Sequence, residues 1–179
     1  MPVDVEVLQL DFEAVKRIIP QRFPFLMLDR VVALEPGVRA VGVKNLTGNE
    51  WFYQGHFPKR AVTPGAMICE AVAQTGIVFF HYTRGAGRED GSVDSHSIDA
   101  TTAIVPERDD ARHRDVTYLL GAIRMRFLEP VWPGEQMRME VTPVKVMAEA
   151  AMLAARVTVE ERVAAKGEFM LSAKPNRDL

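Results

Sequence analysis

From Ala66 to Tyr82 the chain is apolar at almost every position, and the interruptions are Glu70 and, one turn later, Gln74. Thr63-Pro64 just ahead reads as a helix N-cap followed by proline at the first helical position, where its missing N–H costs nothing. A helix over 64–82, about 19 residues at 1.5 Å each, would be roughly 28 Å long. Its apolar residues fall on every side, so other structure should wrap it. Elsewhere the periods are shorter. Leu26–Leu34 and Val38–Leu46 flank the turn signal Glu35-Pro36-Gly37 and read as two strands. From Thr117 onward apolar and charged residues alternate. Ile123, Met125 and Phe127 form one set, Met137, Met139 and Val141 a second, and Gly167, Phe169, Leu171 and Ala173 a third. The run 148–159 mixes helix formers with Val157-Thr158-Val159; a tight turn at Glu161-Arg162 makes it a strand paired with the last one. Asp11 caps a short first helix through Ile19, with Phe12, Val15, Ile18 and Ile19 on its inner face and Pro20 ending it.

One apolar helix beside strands with one apolar face is an α+β arrangement, satisfied when an antiparallel sheet curls around the helix. Such a sheet leaves part of the helix and one edge strand uncovered, which invites a twofold partner. The segment 84–115 stands apart, rich in Gly, Ser, Asp and Arg without periodicity, and reads as a long irregular insertion in a single domain.

Composition narrows the function classes. At 179 residues with a net charge of −2, the chain gives no global reason to expect nucleic acid as a partner. Its single cysteine, Cys69, excludes an intrachain disulfide and suits the reducing cytoplasm. The N-terminal residues alternate Val and Leu with Asp and Glu and do not read as a signal peptide. Glu70 and Gln74 argue against a membrane span over 64–82.

The chemistry centres on Glu70. A carboxyl in a wrapped helix is costly unless paired or employed. His56, in Gly55-His56-Phe57-Pro58, is the nearest natural partner, and a core ion pair with Arg124 is the structural alternative. Cys69 has apolar neighbours and reads as packing rather than as a nucleophile. His81, His96 and His113 with Asp94, Asp99, Asp109 and Asp110 have no tight ligand spacing, so no metal site is expected. The aromatics Phe23, Phe25, Phe52, Phe57 and Trp132 read as mostly core.

Several stretches together resemble the FabZ-type β-hydroxyacyl-acyl carrier protein dehydratases. They are Pro20-Gln21-Arg22-Phe23-Pro24-Phe25-Leu26 with Asp29-Arg30-Val31; Lys44-Asn45 and Asn49-Glu50; Gly55-His56-Phe57-Pro58; Pro64-Gly65; Glu70-Ala71-Val72-Ala73-Gln74; and Phe127-Leu128-Glu129-Pro130-Val131-Trp132-Pro133-Gly134. The resemblance covers about residues 13–83 and 117–173 in unbroken order. It implies the hot-dog fold and a lyase that dehydrates (3R)-3-hydroxyacyl thioesters, carried on acyl carrier protein, to trans-2-enoyl thioesters. It implies neither metal nor organic cofactor.

By the same resemblance His56 is the base for the α-hydrogen and Glu70 the acid for the departing hydroxyl, with His56 of one subunit working beside Glu70 of its mate. Histidine titrates near neutrality, and a carboxyl in an apolar wall holds a proton to give. Glutamate rather than aspartate at 70 favours this branch over the dehydratase–isomerases. Gly65 lies where a helix N-terminal N–H can receive a charged thioester oxygen. Gln74 is a candidate support for the site, and Lys59 and Arg60 a candidate dock for an acidic carrier. The sequence departs from the family pattern at Gln21, Phe23, Lys59-Arg60-Ala61 and Glu129, and in the length of 84–115. The competing readings are a hot-dog thioesterase and a non-catalytic or half-site subunit of a heteromer. The insertion could cap a tunnel, bind a subunit, or do neither.

Overall fold

A computed structural model describes residues 7–86 and 116–176. Seven strands form one antiparallel sheet: β1 (Leu8–Leu10), β2 (Arg30–Glu35), β3 (Arg39–Asn45), β4 (Val116–Phe127), β5 (Gln136–Val146), β6 (Ala150–Val159) and β7 (Arg162–Pro175). Their order across the sheet is β1-β2-β3-β5-β6-β7-β4, so β1 and β4 are the edges. The helices are α1 (Phe12–Ile18) and α2 (Gly65–Ala86).

The sheet curls around α2 as its all-round apolar character demands: the ten residues Ala71 to Phe80 are all buried. Two close approaches are built with glycine. A Cβ on Gly42 of β3 would overlap Thr75 of α2, and one on Gly76 of α2 would stand 2.5 Å from the Phe169 ring of β7. Either added methyl would push sheet and helix apart. The first turn of α2 is less covered, with Ala66 exposed and Met67, Cys69 and Glu70 half-buried.

The helix begins one residue later than expected, for a definite reason. Pro64 contributes the first accepting carbonyl, taking the amides of Met67 (2.9 Å) and Ile68 (3.2 Å). The Thr63 hydroxyl does not cap the helix; it bonds the buried Tyr53 hydroxyl at 2.7 Å, while the Thr63 amide donates to Val131 O at 2.8 Å. At its other end α2 runs on through Arg84–Ala86, which the sequence reading gave to the insertion. The remainder of that insertion, with His96, His113, Asp94, Asp99, Asp109 and Asp110, lies outside the described residues. Among the described residues no group of His, Cys, Asp and Glu is arranged to hold a metal, and no helix is long and apolar enough to cross a membrane.

Other differences are local. Asp11 caps α1 by accepting the Ala14 amide at 2.8 Å, and Val15 and Ile19 are buried, but Phe12 is exposed beneath the Lys16 ammonium. β2 starts at Arg30 rather than Leu26, because Gln74 takes the backbone groups of Phe25 and Met27 that a ladder would have used. The β6–β7 turn is Glu160-Glu161, one residue earlier than read, with Val159 opposite Arg162 and Glu160 at φ 52°. The short β1, which pairs with β2, was not anticipated.

The alternating sets of β5 and β7 bury their apolar members, as does β6. β4 does not. Leu119, Leu120, Ile123 and Phe127 are exposed along this outer edge. The same holds for three of the five aromatics expected in the core: Phe23 (88 %), Phe25 (46 %) and Phe57 (55 %). Phe52 is buried and Trp132 half-buried.

Candidate active site

His56 stands in the middle of the segment that joins β3 to α2, just after a 3-10 helix at Trp51–Gln54. Buried ion pairs anchor that segment: Lys44, almost fully buried on β3, meets Glu50 at 2.9 Å and Asp29 at 3.5 Å. Asp29 also accepts the Asn45 amide at 2.6 Å. The polar residues Asp29, Lys44, Asn45 and Glu50 are therefore a brace for the loop that carries His56.

The imidazole is fixed from both sides. Its Nδ1 lies 2.8 Å from Val62 O, and its ring stacks on Phe57 with centroids 4.0 Å apart. A carbonyl only accepts, so Nδ1 carries the hydrogen. In the neutral ring that leaves Nε2 with its lone pair free. The Val62 amide in turn donates to His56 O at 3.0 Å, closing the loop on itself.

Glu70 sits on the less covered first turns of α2, half-buried. Gln74 Nε2 donates to Glu70 Oε1 at 2.8 Å and to Phe25 O at 2.7 Å, while Gln74 Oε1 accepts the Met27 amide at 2.8 Å. Fully buried Gln74 thus uses one side chain to hold both the carboxyl and the aromatic loop. No ion pair joins Glu70 to Arg124, which is exposed on β4, so the core-pair alternative fails. Within one chain no hydrogen bond or ion pair joins His56 to Glu70 either.

At the head of α2 the Gly65 amide has no acceptor among the described residues. The Phe127 ring lies over Gly65, and together with Thr63, Ile68 and Leu128–Val131 they line a cleft of about 320 Å³. His56 and Glu70 are not part of that lining. Cys69 is half-buried, and burial pushes its thiol pKa up, away from the thiolate a nucleophile needs. Burial also raises Tyr53, against the lowering effect of its bond to Thr63. Lys59 and Arg60 are exposed, with the Arg60 guanidinium stacked 4.3 Å over Trp132.

Two contributors escaped the sequence reading. Val62 acts through its carbonyl, which no side-chain pattern could signal. Phe127 was visible as a member of an alternating strand and of the family-like stretch 127–134, without a role of its own. Glu129, one of the departures from the family pattern, meets Arg162 at 3.5 Å, and the same guanidinium binds Glu135.

Comparison with known proteins gives a consistent picture. Residues 19–108 match the FabA-like domain family. The chain is 37 % identical over 135 residues to a 3-hydroxyacyl-[acyl-carrier-protein] dehydratase FabZ of Geotalea uraniireducens, covering 75 % of this chain and 77 % of that one. It is 34 % identical over 168 residues to the FabZ of Roseiflexus castenholzii, covering 94 % and 99 %. Among solved structures, the dehydratase heterocomplex ApeI:P from Xenorhabdus doucetiae superposes with a TM-score of 0.62 at 14 % identity, covering 91 % and 92 %. That similarity establishes the hot-dog fold.

Proposed function

The chain belongs to the FabZ family of 3-hydroxyacyl-[acyl-carrier-protein] dehydratases, and on that premise we propose that its dehydration site is formed by His56 of one subunit and Glu70 of its partner. The reaction removes water from a 3-hydroxyacyl thioester held on acyl carrier protein, in fatty-acid biosynthesis. His56 Nε2 takes the proton from C2. The freed electron pair forms the C2–C3 double bond, the C3–O bond breaks, and the hydroxyl leaves as water with a proton from Glu70. Charge that builds on the thioester oxygen is received by the Gly65 amide at the positive end of α2.

The observation that carries this reading is the Nδ1–Val62 bond, which fixes the ring on a braced loop and leaves Nε2 with its lone pair free. The division between subunits is supported by the absence of any His56–Glu70 bond within one chain and by apolar surface exposed at Phe57 beside His56 and at Phe127 against the head of α2. Glu70 is held but not consumed by Gln74, leaving its second oxygen open. The chain works as one catalytic domain, a homodimer at least, in the cytoplasm, with Lys59 and Arg60 meeting the acidic carrier and an insertion that follows α2.

The test is a panel of 3-hydroxyacyl thioesters, followed by enoyl absorbance, on wild type, His56→Ala and Glu70→Gln. Wild type should turn over and both variants should lose at least 100-fold in kcat, the scale of a general acid or base. Release of free thiol instead of enoyl product would make the chain a thioesterase. Turnover retained in His56→Ala would remove the assigned base.

A further inference from the structure

Phe127 is large, apolar and half-exposed, yet the backbone that carries it is held in place. It is the last residue of β4, opposite the fully buried Ala165 of β7. The two following amides, of Leu128 and Glu129, both donate to Ala164 O, at 2.8 and 3.2 Å. The Thr63 amide ties the start of α2 to Val131 O at 2.8 Å. The strand end and the helix start are thus stitched together by backbone bonds, with the cleft between them.

Inside that frame the outer edge of the Phe127 ring presses on Gly65. A methyl placed on the Gly65 Cα would stand 2.8 Å from Cζ and 3.1 Å from both Cε atoms. The edge of an aromatic ring therefore stands beside the Gly65 backbone, carried on a strand end held by backbone bonds.

We propose that Phe127 is a specificity-determining residue that restricts what the substrate can carry on C2, the carbon between the thioester carbonyl and the hydroxyl-bearing carbon. The inference rests on the reading that the thioester oxygen sits at the Gly65 amide. C2 is then the first substrate carbon beyond the bound carbonyl, and a hydrogen there passes the ring edge where a methyl meets it. An apolar pocket discriminates one such carbon by about 10- to 200-fold.

The experiment compares unbranched 3-hydroxypentanoyl, 2-methyl-3-hydroxypentanoyl and 4-methyl-3-hydroxypentanoyl pantetheine thioesters on wild type, Phe127→Leu and Phe127→Ala. The 2-methyl epimer used is the one that keeps the abstracted hydrogen in place. Wild type should favour the unbranched over the 2-methyl compound by about 100-fold in kcat/KM. In Phe127→Ala that ratio should fall at least tenfold, through a gain on the 2-methyl substrate, while the ratio of unbranched to 4-methyl stays within twofold. Phe127→Leu keeps an apolar anchor for the strand end and should shift the first ratio in the same direction by less, which decides the matter if the alanine variant does not fold. Equal use of unbranched and 2-methyl substrates by wild type, or a ratio that neither variant moves, overturns the assignment of Phe127. Failure of wild type on the unbranched substrate is a different result and overturns the underlying reaction as well.

Discussion

Replacing Gln74 with methionine keeps the volume of a fully buried side chain and removes all three of its hydrogen bonds. Two backbone groups lose their partner: the Met27 amide, on a residue almost wholly buried, and the Phe25 carbonyl, on a residue that water can reach. An orphaned buried polar group costs about 1–3 kcal/mol. Taking the middle of that range for Met27 and the lower end for Phe25 gives a loss of about 3 kcal/mol. For a chain of this size each kcal/mol moves Tm by about 2–4 °C, so Tm should fall by roughly 6–12 °C. A urea titration at fixed protein concentration should show a lower midpoint with unchanged slope. Fixed concentration is needed because any dimer couples stability to mass action. Activity should fall too, since Glu70 loses the amide that holds its Oε1. A loss under about 1 kcal/mol with kcat unchanged would refute the view that Gln74 pins both the loop and the carboxyl.

Other predictions are narrower. Lys44→Met leaves Glu50 nearly buried without its partner and should cost about 3 kcal/mol of stability in the same titration; an unchanged midpoint would mean the brace is ornamental. Lys59→Glu should raise the apparent KM for carrier-bound substrate, on the order of fivefold and less at high salt, without altering that for a pantetheine thioester; equal effects on both would exclude carrier docking. Lys59 is the cleaner probe because Arg60 is already engaged with Trp132. Since burial raises the Cys69 thiol, iodoacetamide at pH 8 should alkylate it more slowly in the folded protein than in urea; equal rates would show the thiol to be open and activated.

What could be read in advance followed from periodicity and from side-chain chemistry. The central helix announced itself because no surface helix is apolar on all sides, and β5, β6 and β7 because their alternation matches a half-buried sheet. His56 and Glu70 stood out as polar groups in apolar surroundings. The misses depend on backbone groups, on an element too short to show a period, or on apolar side chains that one chain leaves exposed. Val62 orients His56 through a carbonyl, and Pro64 rather than Thr63 begins α2 because the Thr63 hydroxyl goes to Tyr53. β1 has three residues, too few for any period to register. Phe23, Phe25, Phe57 and Phe127 have the composition of a core and lie on the surface of one chain. Hydrophobicity alone does not say which apolar side chains a single chain buries, because part of any folded surface is apolar.

The division of the site between subunits is open to a direct measurement by mixing two inactive variants. Purified His56→Ala and Glu70→Gln proteins are exchanged under mild denaturant and assayed on a 3-hydroxyacyl thioester. In a mixed dimer one interface pairs the intact His56 of one chain with the intact Glu70 of the other. Random exchange makes half the dimers mixed, each with one restored site of two, so activity should recover to about a quarter of wild type. If both residues act within one chain, no combination reunites them, and the mixture should stay as inactive as its parts.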